Sequence, residues 1–175
     1  RNLISMSECT LGIIGLGNIG KAIAQKAQPF GITILGYDPQ KPPKHFLEQT
    51  RTQLVSMDRL ISESDFITLN CDLNESSFHI LSTAEFNNMS KKPFIINAAR
   101  GPLIDENALI GALKSDQISG AALDVFEREP LPQNSALRSF NNVLLAPHNS
   151  NSSPASWDKV HESTLNNLLV GLGLL

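Results

Sequence analysis

Cysteine is scarce in this chain, its charges nearly balance, and it has no long apolar run; each of these excludes a class of protein. Cys9 and Cys71 are the two cysteines among 175 residues. Without a C-x-x-C or a Cys/His cluster they support neither a disulfide framework nor structural zinc. The 14 Lys and Arg against 17 Asp and Glu give no basic footprint for nucleic acid. No apolar run would span a bilayer or serve as a secretion signal. We therefore expect a cytoplasmic protein with no metal and no nucleic-acid or membrane partner.

Short apolar, β-rich segments alternate with longer amphipathic ones, which is typical of βαβ units around a parallel sheet. The segment 11–15 is apolar and bounded by glycine, as a strand buried on both faces should be. The pattern predicts about seven strands, at residues 11–15, 32–37, 53–55, 66–69, 94–97, 121–125 and 143–145. Because no repeat or linker divides the chain, we predict one doubly wound, Rossmann-type α/β domain over residues 1–175.

Two segments outside the strands carry further predictions. Residues 41–44, Lys-Pro-Pro-Lys, are predicted to form a loop. A final helix is predicted over residues 154–172, with one stripe formed by Trp157, Val160, His161, Leu165, Leu168 and Leu169. We expect this stripe to close the domain's own sheet; a surface left bare and a dimer seam are the alternatives.

A glycine-rich turn follows the first predicted strand and opens the first helix. Gly15, Gly17 and Gly20 form the pattern G-x-G-x-x-G. In this pattern the first glycine permits a tight turn, the second lets the backbone approach a pyrophosphate, and the third lets the helix pack closely. The free N–H groups at the start of the helix would then bind phosphates. A glycine turn without a ligand is the alternative.

Asp38 ends the second predicted strand, 18 residues after Gly20. An acidic side chain at this point accepts the ribose hydroxyls of a dinucleotide and repels a 2′-phosphate, so NAD is favoured over NADP. Lys41 and Lys44 follow closely and would soften that preference. The alternative for Asp38 is an ordinary turn residue before Pro39.

Three polar residues follow predicted strands at the sheet edge where open α/β sheets bind ligands. Arg100 follows the strand at 94–97, Glu129 follows 121–125, and His148 follows 143–145. A guanidinium grips a carboxylate, an imidazole exchanges a proton near neutral pH, and a carboxylate behind the imidazole orients it. These are the functions that hydride reduction of a 2-keto acid needs. Taken singly, each residue is equally well explained as a loop residue with surface or capping contacts.

The same residues lie in three blocks, 97–105, 120–132 and 146–148. Together with the glycine turn, these blocks resemble the signature motifs of the D-isomer-specific 2-hydroxyacid dehydrogenases, in order and over nearly the whole chain. The resemblance implies NAD as cofactor, Arg100 as the group that binds the substrate carboxylate, His148 as acid and base, and Glu129 as its partner. The cofactor-binding residues it implies are Gly15, Gly17, Asn18, Ile19, Asp38, Asp72, Ala98, Ala99, Arg100, Asp124, His148 and Ser150.

The chain departs from the family pattern in two places. Asp72 stands where the family has a Pro-Leu-Thr turn, and it would place a negative group near the cofactor. After His148 the polar residues 149–153 replace the family's small residues, so we expect them to line the site, with a plain loop before the final helix as the alternative.

Members of this family carry a second domain, built largely from a long segment before the first strand. About ten residues precede that strand here. We therefore expect this chain to be the cofactor domain, with the N-terminal substrate-domain segment missing and most of the substrate cleft outside it. It should bind NAD but turn over a small 2-hydroxy or 2-keto acid poorly or not at all. Family members also suggest a homodimer formed through this domain.

Three other functions remain open on the sequence. The main rival is an NAD-responsive regulatory module, similar to corepressors built on this scaffold, which would keep the glycine turn and Asp38. A formate- or phosphite-oxidising relative would use the same Arg and His, but a formate enzyme typically lacks the partner glutamate. A methyltransferase would leave the Arg, Glu and His together unexplained.

Overall fold

The computed structural model describes residues 4–150 and 152–174. Its strands are β1 (Thr10–Ile14), β2 (Thr33–Tyr37), β3 (Gln53–Leu54), β4 (Phe66–Leu69), β5 (Phe94–Asn97), β6 (Gly120–Leu123) and β7 (Val143–Leu145). They form one seven-stranded sheet in the order β3-β2-β1-β4-β5-β6-β7. Every pair of neighbours is parallel. The predicted doubly wound parallel sheet is therefore confirmed.

Helices connect most of these strands. They are α1 (Asn18–Ala27), α2 (Lys44–Thr50), α3 (Met57–Glu63), α4 (Thr83–Asn87), α5 (Glu106–Lys114) and α6 (Pro154–Gly171). Side-chain caps start α3, α4 and α5, where Ser56, Ser82 and Asp105 each accept a backbone N–H from the first turn. Such caps stabilise a helix by about 1 kcal/mol each.

Helix α2 begins inside the segment 41–44 that was predicted to be a loop, so that prediction is wrong at Lys44. Pro43 directly precedes the helix, where a residue without an N–H does not interrupt helical hydrogen bonding. Phe46 is 4% exposed and belongs to the same buried cluster as Leu16 and Ala24. Burial of this ring stabilises a helix that the proline and lysine composition obscures.

The core lies on both faces of the sheet. Ile13 and Ile14 are consecutive in β1, so their side chains point to opposite faces. Both are at most 1% exposed, and they belong to separate apolar clusters. Full burial of one such side chain contributes roughly 1.5–3 kcal/mol. Both faces of the central strand are therefore covered, as its continuous apolar sequence predicts.

The strand order places a topological switch between β1 and β4. From β1 the chain continues outward to β2 and β3, then returns to β4 on the other side of β1. The loops after β1 and β4 lie beside this switch at the carboxyl edge of the sheet, where ligands bind in open α/β folds. The loops after β5, β6 and β7 follow along the same edge.

The final helix does not close the sheet, so that expectation is wrong. Trp157 is 48% exposed, and no described residue of α6 is buried. Leu169 is half-buried, while the other apolar residues of the stripe are exposed. On the edge strand β7, Leu144 is 75% exposed, so the helix leaves this part of the sheet uncovered. None of the described helices is long and apolar enough to cross a membrane.

Candidate active site

The glycine turn has the conformation that its sequence pattern predicts. Gly15 has φ 91°, and a Cβ there would lie 2.5 Å from the backbone N of Cys71 in the loop after β4. A side chain is excluded both by the backbone angle and by this close approach. At Gly20 a Cβ would lie 2.0 Å from the carbonyl oxygen of Gly15, so α1 packs directly on the turn.

Gly17 differs from the other two glycines because it faces open space. A Cβ at Gly17 would meet no atom within 4 Å. Gly17 is also the N-cap of α1, and no side chain caps the helix there. The first N–H groups of α1 are therefore available to an anion, supported by the positive end of the helix dipole. Asn18 is exposed, and Ile19 is 67% exposed, beside this opening.

Asp38 is tied to the glycine turn. Its Oδ2 accepts the backbone N–H of Leu16 at 2.7 Å, and its Oδ1 accepts the N–H of Gln40 at 2.8 Å. These bonds fix a half-buried carboxylate at the end of β2, next to β1. Each carboxylate oxygen retains a lone pair, so the group can still accept ribose hydroxyls. Lys44 instead forms an exposed pair with Glu48 at 3.5 Å.

The structural features around the glycine turn fit a dinucleotide. The open volume at Gly17, the uncapped start of α1 and the fixed carboxylate of Asp38 lie along one side of the switch between β1 and β4. An anion at the helix end and hydroxyls at a carboxylate are the contacts that a nucleotide diphosphate requires.

Glu129 and His148 come together at the other end of the edge. His148 Nδ1 lies 2.8 Å from Glu129 Oε2, and the N–H of Phe126 donates to Glu129 Oε1 at 3.0 Å. The hydrogen bond from His148, and then that from Phe126, hold the pKa of Glu129 below its usual range against the effect of burial. His148 has φ 56°, a left-handed conformation that costs about 1–3 kcal/mol and is often found at functional sites.

Asp124 fastens the loop that carries His148. Its carboxylate accepts the backbone N–H of Asn149 and of Ser150, each at 2.9 Å. Burial alone would raise the pKa of Asp124, but the hydrogen bonds from Ser150 and Asn149 outweigh it and lower the pKa. The family resemblance implies that Asp124 contacts the cofactor, and it gives no indication of this anchoring contact. Residue 151 of the polar loop lies outside the described residues.

Arg100 lies on the neighbouring loop, after β5. Buried Asn97 shapes this loop, since its side chain donates to the Arg100 carbonyl at 2.9 Å and accepts the Ala99 N–H at 3.1 Å. The exposed Arg100 guanidinium donates to the Ala99 carbonyl at 2.6 Å. Ala98 is exposed at the start of the same loop. Asn97 lies within the first block of the family resemblance, but the sequence does not indicate that it shapes the loop.

A cavity of about 260 Å³ opens beside the His148–Glu129 pair. Its lining is mainly apolar and consists of Phe126, Glu129, Pro130, Leu131, Arg138, Leu145, Ala146, Pro147 and His148. Arg100 does not line this cavity. The structure therefore brings two of the three predicted catalytic residues into contact and leaves the third on the adjacent loop.

The loop after β4 meets the glycine turn at Cys71, a residue that the sequence motifs do not indicate for the site. Burial raises the pKa of the Cys71 thiol, and the nearby carboxylates of Asp72 and Asp38 raise it further against a backbone hydrogen bond. The side chain of Asp72 is exposed, and its carbonyl accepts a hydrogen bond from Ser77 at 2.6 Å. Cys9 and Cys71 are both free thiols.

The fold and the glycine turn define a dinucleotide-binding domain of the dehydrogenase type. The sequence model of the "D-isomer specific 2-hydroxyacid dehydrogenase, NAD binding domain" family matches residues 2–150. The chain belongs to this family, which confirms both the predicted resemblance and NAD as the cofactor.

Individual relatives agree with this assignment. The chain is 38% identical over 160 residues to a glyoxylate reductase of Korarchaeum cryptofilum, covering 91% of this chain and 48% of that protein. A crystal structure of a glyoxylate reductase from Paecilomyes thermophila superposes with a TM-score of 0.87 at 35% identity, covering 94% of this chain and 49% of the other. D-lactate dehydrogenase with NAD+ from Lactobacillus jensenii gives 0.84 at 28% identity, covering 93% and 52%. The chain thus spans about half the length of these relatives.

Proposed function

We propose that this chain is the cofactor domain, over residues 1–175, of an enzyme that transfers hydride between NAD(H) and C2 of a small D-2-hydroxy or 2-keto acid. The observation that carries this proposal is the contact of 2.8 Å between His148 Nδ1 and Glu129 Oε2. The contact lies at the sheet edge that also bears the glycine turn. A proton-exchanging imidazole and a dinucleotide site on one edge are what this reaction needs.

The proposed cofactor contacts begin at the glycine turn. Gly17 and the first N–H groups of α1, at Asn18 and Ile19, would hold the pyrophosphate, and Asp38 would hold the ribose. The remaining proposed contacts are Gly15, Asp72, Ala98, Ala99, Arg100, Asp124, His148 and Ser150. When bound, NAD(H) supplies or accepts the hydride at its nicotinamide ring.

His148 would hold the proton at its Nε2. The ionised carboxylate of Glu129 would accept a hydrogen bond from the Nδ1–H of His148. This bond fixes the tautomer of the imidazole and leaves Nε2 to face a substrate oxygen. In reduction His148 gives its proton to the oxygen on C2, and in oxidation it takes that proton back. Glu129 orients the ring and stabilises the imidazolium.

Arg100 would bind the substrate carboxylate. One guanidinium nitrogen donates to the Ala99 carbonyl, and the remaining donors of an exposed guanidinium can form a paired contact with a carboxylate. This contact orients the keto acid so that C2 and its oxygen face the reacting groups.

We also propose that residues beyond this chain complete the substrate cleft, because the relatives are about twice its length. A closed cleft excludes water and strengthens the electrostatics of hydride transfer. The choice of 2-hydroxy acid would then depend on those residues. A homodimer formed through this domain remains a prediction, which analytical ultracentrifugation would test. A location in the reducing cytoplasm remains a second prediction, which cell fractionation would test.

Calorimetry with the 175-residue chain tests this function. NADH should bind first, and the NADH-loaded chain should then bind oxamate, a non-reducible analogue of a 2-keto acid. Arg100→Gln and His148→Gln should weaken oxamate binding about tenfold or more, since a charged hydrogen bond contributes about 1.5–3 kcal/mol. They should weaken NADH binding less, because the glycine turn and Asp38 would hold the pyrophosphate and the ribose. The Lys114→Gln variant, at the end of α5, serves as a control for lost positive charge.

The outcomes separate the alternatives. Absence of NADH binding would contradict the cofactor site. NADH binding by a full-length protein that neither binds oxamate nor reduces a 2-keto acid would favour the NAD-responsive regulatory module instead. Brisk reduction of glyoxylate, hydroxypyruvate or pyruvate by the chain alone would contradict the proposal that the cleft needs further residues.

A further inference from the structure

A second histidine–glutamate pair lies outside the site described above. His79 Nε2 is 2.6 Å from Glu127 Oε1, and the two side chains are 30% and 33% exposed. The imidazole stacks on Phe78 with ring centroids 4.0 Å apart. His79 has φ 52°, so a left-handed backbone presents the ring to Glu127.

This pair connects three of the loops at the functional edge of the sheet. His79 belongs to the loop after β4, and its backbone N–H donates to the carbonyl of Pro102 at 2.9 Å, two residues after Arg100. Glu127 belongs to the loop after β6, two residues before Glu129. His79 therefore contacts the loop of Arg100 through its backbone and the loop of Glu129 through its side chain.

The loops of Arg100 and Glu129 also contact each other directly. A Cβ at Gly101 would lie 2.0 Å from the carbonyl of Phe126 and 2.6 Å from the N of Glu127. Glu127 Oε1 additionally accepts a long hydrogen bond of 3.5 Å from the N–H of Glu106, at the start of α5. Displacing Glu127 would therefore displace the turn that holds Glu129.

That turn has little other support. Residues 127–130 are all exposed, so apart from the contact of Gly101 with Phe126 and Glu127, packing contributes little to their position. Glu129 is nevertheless aimed closely, because the N–H of Phe126 and the ring of His148 contact its two oxygens at 3.0 and 2.8 Å. The side chain of Glu127, held by His79, supplies a further restraint on the position of this turn.

We propose that His79 is a positioning residue: through Glu127 it holds the turn that aims Glu129 at His148. The consequence for catalysis rests on the proposed function, in which the His148–Glu129 pair exchanges the substrate proton. The contact itself does not depend on that function and can be measured without cofactor. Supporting groups outside the reacting shell commonly set the orientation of a reacting side chain in this way.

The test follows the Glu129 carboxyl by NMR titration in the cofactor-free chain. His79→Ala removes the side-chain contact, and the pKa of Glu129 should rise toward its ordinary value as the hydrogen bond to His148 loosens. His79→Gln keeps a donor near the position of Nε2, so it should restore the lowered pKa. Both variants have the same left-handed backbone, so strain at residue 79 does not distinguish them.

Two further variants guard the interpretation. Glu127→Ala removes the other partner, together with the long hydrogen bond from Glu106, and adding His79→Ala to it should change nothing further. Glu63→Gln breaks the exposed pair of Glu63 with Arg59 on α3 and should leave Glu129 unchanged. Urea unfolding of each variant separates a local change at Glu129 from loss of the whole fold.

The proposal is overturned if folded His79→Ala and Glu127→Ala both retain the wild-type titration of Glu129. In a full-length protein that catalyses the hydride transfer, His79→Ala should lower kcat about tenfold with little change in KM for NADH, because small misplacements of reacting groups slow the reaction strongly. Absence of hydride transfer by a full-length wild-type protein would separately contradict the proposed function, and with it the role of His79 in catalysis. A raised pKa of Glu129 in His79→Ala, together with no hydride transfer by a full-length wild-type protein, would support the positioning role and contradict the proposed function alone.

Discussion

Replacing Gly17 by alanine separates the binding of NAD from the stability of the fold. A Cβ at Gly17 meets no atom within 4 Å, and its φ of −68° and ψ of −161° suit alanine. Alanine reduces the conformational entropy of the unfolded chain, which stabilises the fold by about 0.4–1 kcal/mol. It is also a poorer N-cap than glycine, which destabilises the fold by a similar amount. The free energy of unfolding, measured with urea, should therefore stay within about 1 kcal/mol of wild type.

NAD binding should respond differently, because the new methyl group occupies the space through which a pyrophosphate approaches the start of α1. A displaced phosphate loses at least one charged hydrogen bond, worth about 1.5–3 kcal/mol. Since about 1.4 kcal/mol corresponds to tenfold, the dissociation constant should rise roughly 10- to 100-fold by calorimetry.

Gly111→Ala is the matched control. A Cβ there also meets open space, but Gly111 lies inside α5. This variant should be up to about 1 kcal/mol more stable and should bind NAD like wild type. A folded Gly17→Ala chain that binds NAD within twofold of wild type would refute the assignment of the phosphate site.

Three further changes should have distinct effects. Gly20→Ala places a Cβ 2.0 Å from the Gly15 carbonyl and should destabilise the fold by about 2–3 kcal/mol; a wild-type urea midpoint would contradict this packing. Asp38→Asn removes the charge at the ribose position and should narrow the preference for NADH over NADPH about tenfold; an unchanged ratio of dissociation constants would argue against that role. Glu129 has a lowered pKa in the folded state, so its charge stabilises the fold above the unfolded pKa of about 4.3. This stabilisation disappears as pH falls through the folded pKa. Glu129→Gln should thus flatten the acid limb of stability, and an unaltered limb would show that the contact with His148 is not maintained in solution.

The order of elements could be read from the sequence because each strand is a short apolar run between turn residues. Burial on both faces of β1, through Ile13 and Ile14, leaves a signal that needs no knowledge of tertiary contacts. The glycine turn was equally readable, since Gly15 and Gly20 are required by local geometry.

Contacts between distant segments left no such signal. His79 and Glu127 are 48 residues apart, and their types alone do not indicate that they meet. The tie from Asp124 to the N–H groups of Asn149 and Ser150 involves backbone donors, which any residue supplies. The final helix shows the same limit. The spacing of its apolar residues predicted the helix correctly. The exposure of Trp157, however, depends on which surface lies opposite the helix, and periodicity does not encode that.

The most direct measurement is a structure of this chain with NADH bound. In the reacting complex, C4 of the nicotinamide lies about 3–3.5 Å from C2 of the substrate. The oxygen bonded to C2 lies about 2.6–3.2 Å from the imidazole nitrogen that carries the proton. The proposed site therefore predicts that C4 of the nicotinamide lies within roughly 7 Å of His148 Nε2, with the pyrophosphate at Gly17. A bound NADH whose nicotinamide points away from His148, or whose phosphates avoid the start of α1, would contradict the proposed chemistry.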